Sequence, residues 1–211
     1  CWSRIRGLAR RSAPLGVVAL LGTIYTSAPR IVLERVQGIE AVGYFAAVAS
    51  VLAMLGNIMT PLIQSVISRM SILYVTSRSA YTRLLLRLSA VGCFLGGASF
   101  CVTFFFGRQL LMLMFTPDYA RYANVLNWVM VAGAFFPLFI TFNAALSAMR
   151  RFDLQLPVHG AAALMVVVAS RCLIPQFGMQ GAALAMAGCY GTGMAIAMVL
   201  HAVVLRRSRP R

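Results

Sequence analysis

"TSAPRIVLERVQGIEAVGYF", residues 26–45, decides the fold. It holds Arg30, Glu34, Arg35 and Glu40, so two of the chain's four acidic residues stand beside two arginines between stretches that carry no charge. On one side, residues 12–29 make 18 uncharged positions; on the other, 41–68 make 28. A helix needs about 20 apolar residues to cross roughly 30 Å of hydrocarbon, so the stretch reads as the outer hairpin between two membrane spans. Pro29 removes a backbone donor where the charge begins, and Gly38 and Gly43 permit a tight return. Working outward, 20 uncharged residues separate Arg87 from Arg108, 28 separate Arg121 from Arg150, and two further runs flank Arg171. Six spans are expected, near 13–29, 42–67, 87–107, 122–148, 157–174 and 179–204. Closed barrels are the only other way to satisfy every backbone group in lipid, but they need short alternating segments, and these runs do not alternate.

Composition agrees with an all-α polytopic membrane protein. The chain is 61% hydrophobic and 11% charged, with a mean hydropathy of +0.84, far from a soluble domain. Its net charge of +15 points to nucleic acid only until it is located. With a cytoplasmic N-terminus, fourteen arginines fall inside: Arg4, Arg6, Arg10, Arg11, Arg69, Arg78, Arg83, Arg87, Arg150, Arg151, Arg206, Arg207, Arg209 and Arg211. Four fall outside (Arg30, Arg35, Arg108, Arg121), and Arg171 lies within a span. The positive-inside rule predicts this imbalance, so the charge sets topology and no nucleic-acid partner is expected. The divisions are a basic cytoplasmic segment 1–12, a six-helix lobe 13–205 and a basic cytoplasmic tail 206–211.

The residues speak against an enzyme. Glu34, Glu40, Asp118 and Asp153 all fall in expected loops or at interfaces, no pair has catalytic spacing, and there is no H-E-x-x-H, Walker A loop or nucleophile elbow. Cys93, Cys101, Cys172 and Cys189 fall in spans and Cys1 at the inner end without C-x-x-C or metal spacing, so they read as small packing residues, with no metal or cofactor implied. The chain opens at Cys1 without a methionine or a cleavable signal, as a piece cut from a longer protein would.

Several polar side chains are candidates for a pathway. Thr23, Ser27, Arg30 and Glu34 share one helical face if the first span continues past Pro29. That face reads either as a ligand-facing surface or as an Arg30–Glu34 salt bridge anchoring the helix end. Span two carries Ser50, Asn57 and Gln64 at intervals of seven, with Thr60 and Ser68 on the same side. Polar side chains at membrane depth join helices or line a cavity, and both readings stand here. Arg171 lies several ångströms inside the outer leaflet, where a buried arginine costs roughly 3 kcal/mol. It either snorkels or bonds to a neighbouring helix, or it meets an anionic substrate. His159 and His201 read as packing or interfacial residues. Gly181, Ala185, Cys189, Gly193 and Ala197, at four-residue steps, form a spine along which another helix approaches closely, and Gly92 and Gly96 read the same way.

Four stretches carry a resemblance. "PLGVVALLGTIYTSAPRIVLERVQGIEAVGYFAAVASVL" (14–52) resembles the seventh and eighth helices of polysaccharide flippases of the MOP superfamily, the O-antigen and teichoic-acid exporter branch. "SRMSILYVTSRSAYTRLLLRL" (68–88) resembles their next cytoplasmic connection, and "LLMLMFTPDYARYANVLNWVMVAGAFF" (110–136) the outer turn before their tenth helix. "LIPQFGMQGAALAMAGCYGTGMAIAM" (173–198) is similar to their last hairpin. The resemblance implies the C-terminal six-helix lobe of a MOP/MATE-like transporter in the bacterial inner membrane, both ends of the segment cytoplasmic. Its implied ligand is an undecaprenyl-pyrophosphate-linked oligosaccharide, met in a cationic cavity and flipped by alternating access against an N-terminal six-helix lobe, with membrane lipids around it. Carried over, Arg30 is the first cavity candidate and Arg35 and Arg171 the next, with Asn57, Gln64, Thr23 and Ser27 from the polar faces; Glu34 or Glu40 is expected to balance the arginines when the site is empty. Two other readings remain: a multidrug or cation antiporter of the related MATE type, which would need a mid-membrane carboxylate in the other lobe, and a non-transporting scaffold for polysaccharide assembly.

Overall fold

The computed structural model describes residues 2–207, with side chains from 16 to 206. Six helices follow one another: α1 (Trp2–Gln37), α2 (Ile39–Thr76), α3 (Arg78–Met114), α4 (Ala123–Ala148), α5 (Gln155–Phe177) and α6 (Met179–Arg207). Short 3₁₀ turns, Pro117–Tyr122 and Phe152–Leu154, precede α4 and α5. All six helical stretches are long and apolar enough to cross a membrane, and no strand occurs among the described residues. The protein is an all-α polytopic membrane protein.

The expected outer hairpin is corrected. α1 runs through Pro29 to Gln37, and only Gly38 stands outside a helix before α2 begins. Proline removes one N–H, whereas a loop inside lipid would strand many backbone groups, so the helix tolerates it. The break falls at Gly38, whose φ of 85° suits glycine alone, and its N–H bonds to the Glu34 carbonyl at 2.9 Å. Gly43, expected to help the return, lies inside α2 with open space around it. Glu34 is likewise a helical residue rather than a loop carboxylate, and Glu40 sits in the first turn of α2, where the helix dipole favours an anion.

The connection over 68–88 is shorter than expected too. α2 and α3 have 38 and 37 residues, about 55 Å each, and run well beyond their apolar runs. Only Ser77 separates them, its N–H bonded to the Leu73 carbonyl at 2.8 Å. Arg69, Arg78, Arg83 and Arg87 therefore ride on helices. Of the basic ends, the backbone from Trp2 onward continues α1, but the side chains of Arg4, Arg6, Arg10 and Arg11, and those from Arg207 on, lie outside the described residues, as does Cys1.

Short connections make successive helices antiparallel, so the bundle has a Gly38 end and a Ser77 end. α4 and α6 form its centre; α5 packs on α6, α3 on α4, α1 chiefly on α5 and α2 chiefly on α4. Lipid is as apolar as leucine, so this association rests on close packing. The α6 spine supplies it: Gly181, Ala185, Cys189, Gly193 and Ala197 are all buried. The Leu173 carbonyl fills the place of a β-carbon at Gly181, and the Phe139 ring fills it at Gly193. A β-carbon on Gly96 would stand 3.1 Å from the Gly133 carbonyl oxygen, and one on Gly92 3.1 Å from Pro137 Cβ, so α3 and α4 approach in the same way.

Two polar pairs cross the bundle, one half-buried and one buried. The Tyr25 hydroxyl and His159 Nδ1 join α1 to α5, and the Tyr81 hydroxyl and His201 Nε2 join α3 to α6 at 2.9 Å. Both histidines are thus packing residues; His201 is buried rather than interfacial. Of the five cysteines expected to pack, four have described side chains, and of these only Cys189 packs, while Cys93, Cys101 and Cys172 face outward, where a thiol serves as a small apolar surface group.

Candidate functional site

α1 and α2 lean on different partners, so their bodies separate from the single-residue turn that joins them. Between them opens a groove of 240 Å³ walled by Thr26 and Arg30 of α1 and by Phe45, Ala49, Leu52, Ala53 and Gly56 of α2. Phe136 of α4 with Met186 and Tyr190 of α6 forms its floor. Arg30 stands seven residues before Gln37, about 10 Å from the Gly38 end at 1.5 Å per residue, and Gly56 lies about 25 Å from that end by the same measure. The groove therefore runs from Arg30, at the edge of the uncharged stretch 12–29, about 15 Å into the roughly 30 Å apolar layer. Glycine at position 56 keeps the wall open: the Phe136 ring edge is 3.4 Å from where a β-carbon would be.

The floor is tied to the interior. The Tyr190 ring stands 5.2 Å from Phe136 and 5.7 Å from Phe139, and Phe139 packs edge-on against both Tyr25, at 6.3 Å, and His159, at 5.6 Å. A chain of aromatic contacts thus links the groove to the Tyr25–His159 pair. Toward the Gly38 end a second concavity of 420 Å³ is lined by Gln37, Glu40, Ala41, Tyr44, Tyr122 and Met179. Arg121 covers its aromatic rim, its guanidinium 5.3 Å from the centre of the Tyr44 ring and 5.0 Å from that of Tyr122. Cation–π contact is an arrangement that guanidinium accepts readily.

Arg30 is the one of the seven candidates that lines the groove. Thr23 and Ser27 are outward-facing on α1, and the Thr23 hydroxyl donates to the Leu20 carbonyl at 2.7 Å. Asn57 and Gln64 are outward-facing on α2, with Asn57 four residues after the groove residue Ala53 and so on the same helical face. Arg35 and Arg171 are outward-facing and line neither concavity. The balancing carboxylates do not act as expected: among the described residues the ion pair found is Arg151–Asp153, at 3.8 Å, and neither Glu34 nor Glu40 reaches an arginine. Both lie near the Gly38 end, where water competes for their charge.

Thr26 escaped the sequence reading although it sits four residues before Arg30, the spacing that puts two residues on one face. Its hydroxyl donates to the Thr23 carbonyl at 3.1 Å, leaving the oxygen lone pairs for a guest. Phe136, Met186 and Tyr190 escaped for another reason: nothing in an apolar residue's identity says which gap it will floor. Among the described residues no three His, Cys, Asp or Glu side chains gather as a metal site would require. The groove offers one cation, a hydroxyl and an apolar bed, which suits an amphiphilic anion.

Comparison with known proteins gives one distant relative. Over 173 residues the chain is 27% identical to the capsular polysaccharide biosynthesis protein CapF of Staphylococcus aureus, which covers 81% of this chain and 43% of that protein. The chain thus spans less than half the length of the relative it matches. No protein-family model matches it, and no solved structure does.

Proposed function

We propose that this chain is the C-terminal half of a polysaccharide flippase of the MOP type, and that the α1/α2 groove receives the pyrophosphate of a polyprenyl-linked oligosaccharide on Arg30. The observation that carries the reading is an arginine at the edge of the apolar layer, lining an open groove that runs into that layer, with no carboxylate paired to it. An unpaired guanidinium at that edge is free to take a phosphate, whose oxygens match its fork-shaped donors. The apolar floor suits the isoprenoid. Similarity to a capsular polysaccharide biosynthesis protein supports a role in making polysaccharide.

The outward-facing polar stripes support the second half of the proposal. Thr23, Ser27 and Arg30 on α1 and Asn57, Thr60 and Gln64 on α2 flank the groove instead of joining helices within the bundle. A second lobe facing this side would enclose them as the walls of a central cavity, and rocking of the two lobes about it would give alternating access. The arginine-rich Ser77 end is then cytoplasmic and the membrane is the bacterial inner membrane.

The test is native mass spectrometry of the protein purified together with its second lobe, as wild type, Arg30→Lys and Arg30→Ala. Wild type is expected to carry polyprenyl-pyrophosphate sugars. Arg30→Lys, which keeps the charge but not the fork, should retain part of them, and Arg30→Ala should lose them. Wild type holding only bulk phospholipid would overturn the flippase reading in favour of an antiporter or a scaffold.

A further inference from the structure

The Ser77 end carries most of the arginines and a single carboxylate, Asp153, which Arg151 already engages at 3.8 Å. Three of these arginines converge. Arg69 of α2 and Arg83 and Arg87 of α3 line one concavity of 220 Å³ between the two helices, with Leu73, Leu84 and Ala80 as its apolar base. Arg83 and Arg87 are four residues apart, a spacing at which like charges destabilise a helix, and no carboxylate lines the site. The one arginine between them in sequence is employed differently: Arg78 donates to the Leu205 carbonyl at 3.3 Å and lies over the Tyr74 ring.

The depth of the site identifies its ligand. Residues 88–107 of α3 are 20 uncharged positions bounded by Arg87 and Arg108, about 30 Å of helix and so the thickness of the hydrocarbon. Arg87 therefore marks the membrane boundary, with Arg83 one turn beyond it. Leu86 and Phe94, beside and below the site on α3, are 64% and 73% exposed and turn outward to where acyl chains run. A pocket of guanidinium groups with an apolar base, opening between helices at the interface, matches the headgroup and upper chains of an anionic phospholipid. We infer that Arg69, Arg83 and Arg87 form a binding site for an anionic phospholipid of the surrounding bilayer, held by its phosphate and separate from the α1/α2 groove. The bound lipid offsets part of the repulsion within the arginine cluster and splints the α2–α3 hairpin.

The test uses the protein with its second lobe in detergent, titrated with phosphatidylglycerol, phosphatidylcholine or inorganic phosphate and read by native mass spectrometry. Thermal unfolding of the same samples is followed alongside. Phosphatidylglycerol is expected to bind and raise the unfolding temperature, phosphatidylcholine to do neither, and millimolar inorganic phosphate to leave the lipid in place. Arg83→Gln/Arg87→Gln should retain the lipid on the order of tenfold less well, whereas Arg150→Gln/Arg151→Gln, at the same end, should retain it like wild type. If the first double variant does not fold, Arg69→Gln alone carries the test, with a loss of several-fold. Equal retention by wild type and the Arg83/Arg87 or Arg69 variant overturns the inference. Displacement by inorganic phosphate overturns the assignment to lipid.

Discussion

Gly193 shows how much one missing methyl group decides. The Phe139 ring occupies the place of its β-carbon, and that same ring contacts Tyr25, His159 and Tyr190. A side chain at 193 must push Phe139 away, so Gly193→Leu is expected to cost about 1–3 kcal/mol through overpacking and to disturb the groove floor through Tyr190. Gly22 provides the contrast, since a β-carbon there meets nothing within 4 Å. Gly22→Leu should unfold at or above the wild-type temperature, because leucine favours the helix. Thermal unfolding of both variants in detergent measures the difference, and equal midpoints would remove Phe139 from its role as the keystone of the bundle. At this scale the sequence was readable where spacing alone carries the message: the four-residue repeat from Gly181 to Ala197 announces a packed spine whatever its partner. It was silent on Phe139, since a phenylalanine facing lipid and one filling a glycine notch look alike.

At the scale of elements, α2 carries two kinds of surface. Phe45, Leu52, Met59 and Ile63 are buried against the bundle, while Asn57, Thr60 and Gln64 face out beside the groove. If the stripe borders a watery cavity, Asn57→Cys and Gln64→Cys in a cysteine-free background should react with a charged, membrane-impermeant thiol reagent. Ile58→Cys, on a position 60% exposed whose neighbours one turn away, Met54 and Leu62, are exposed and apolar, should resist it while reacting with an apolar maleimide. Uniform resistance of all three would mean a stripe sealed against a protein partner, as the scaffold reading requires. The six helices were legible from the distances between arginines, but their ends were not. Charge marks where the hydrocarbon stops, not where the helix stops: Arg30, Glu34, Arg69 and Arg83 all sit on continuing helix because backbone bonds satisfied internally cost nothing to carry past the interface. Gly38 and Ser77, where the helices do end, resemble many other residues in the chain. The groove was half legible, through Arg30 and its polar face, because its floor depends on how α4 and α6 cross behind α1 and α2.

For the whole molecule, the arginines are divided unequally between the two ends. Arg69, Arg78, Arg83, Arg87, Arg150, Arg151 and Arg206 gather at the Ser77 end, whereas Glu34, Glu40 and Asp118 accompany the fewer arginines of the other. That asymmetry predicts the orientation. A fluorescent protein fused after Arg206 should mature in the cytoplasm, and alkaline phosphatase inserted at Thr116 should be active outside it. The opposite pair of results would invert the topology. The turn at Gly38 then has a mechanical consequence. One residue ties α1 to α2, and the Gln37 side chain rests against Gly178 of the neighbouring turn, so this end of the pair is clamped. α1 and α2 are the arms of tweezers whose pivot lies at Gly38. With the pivot there, the groove between the arms can widen only from the ends remote from it, the arginine-rich side.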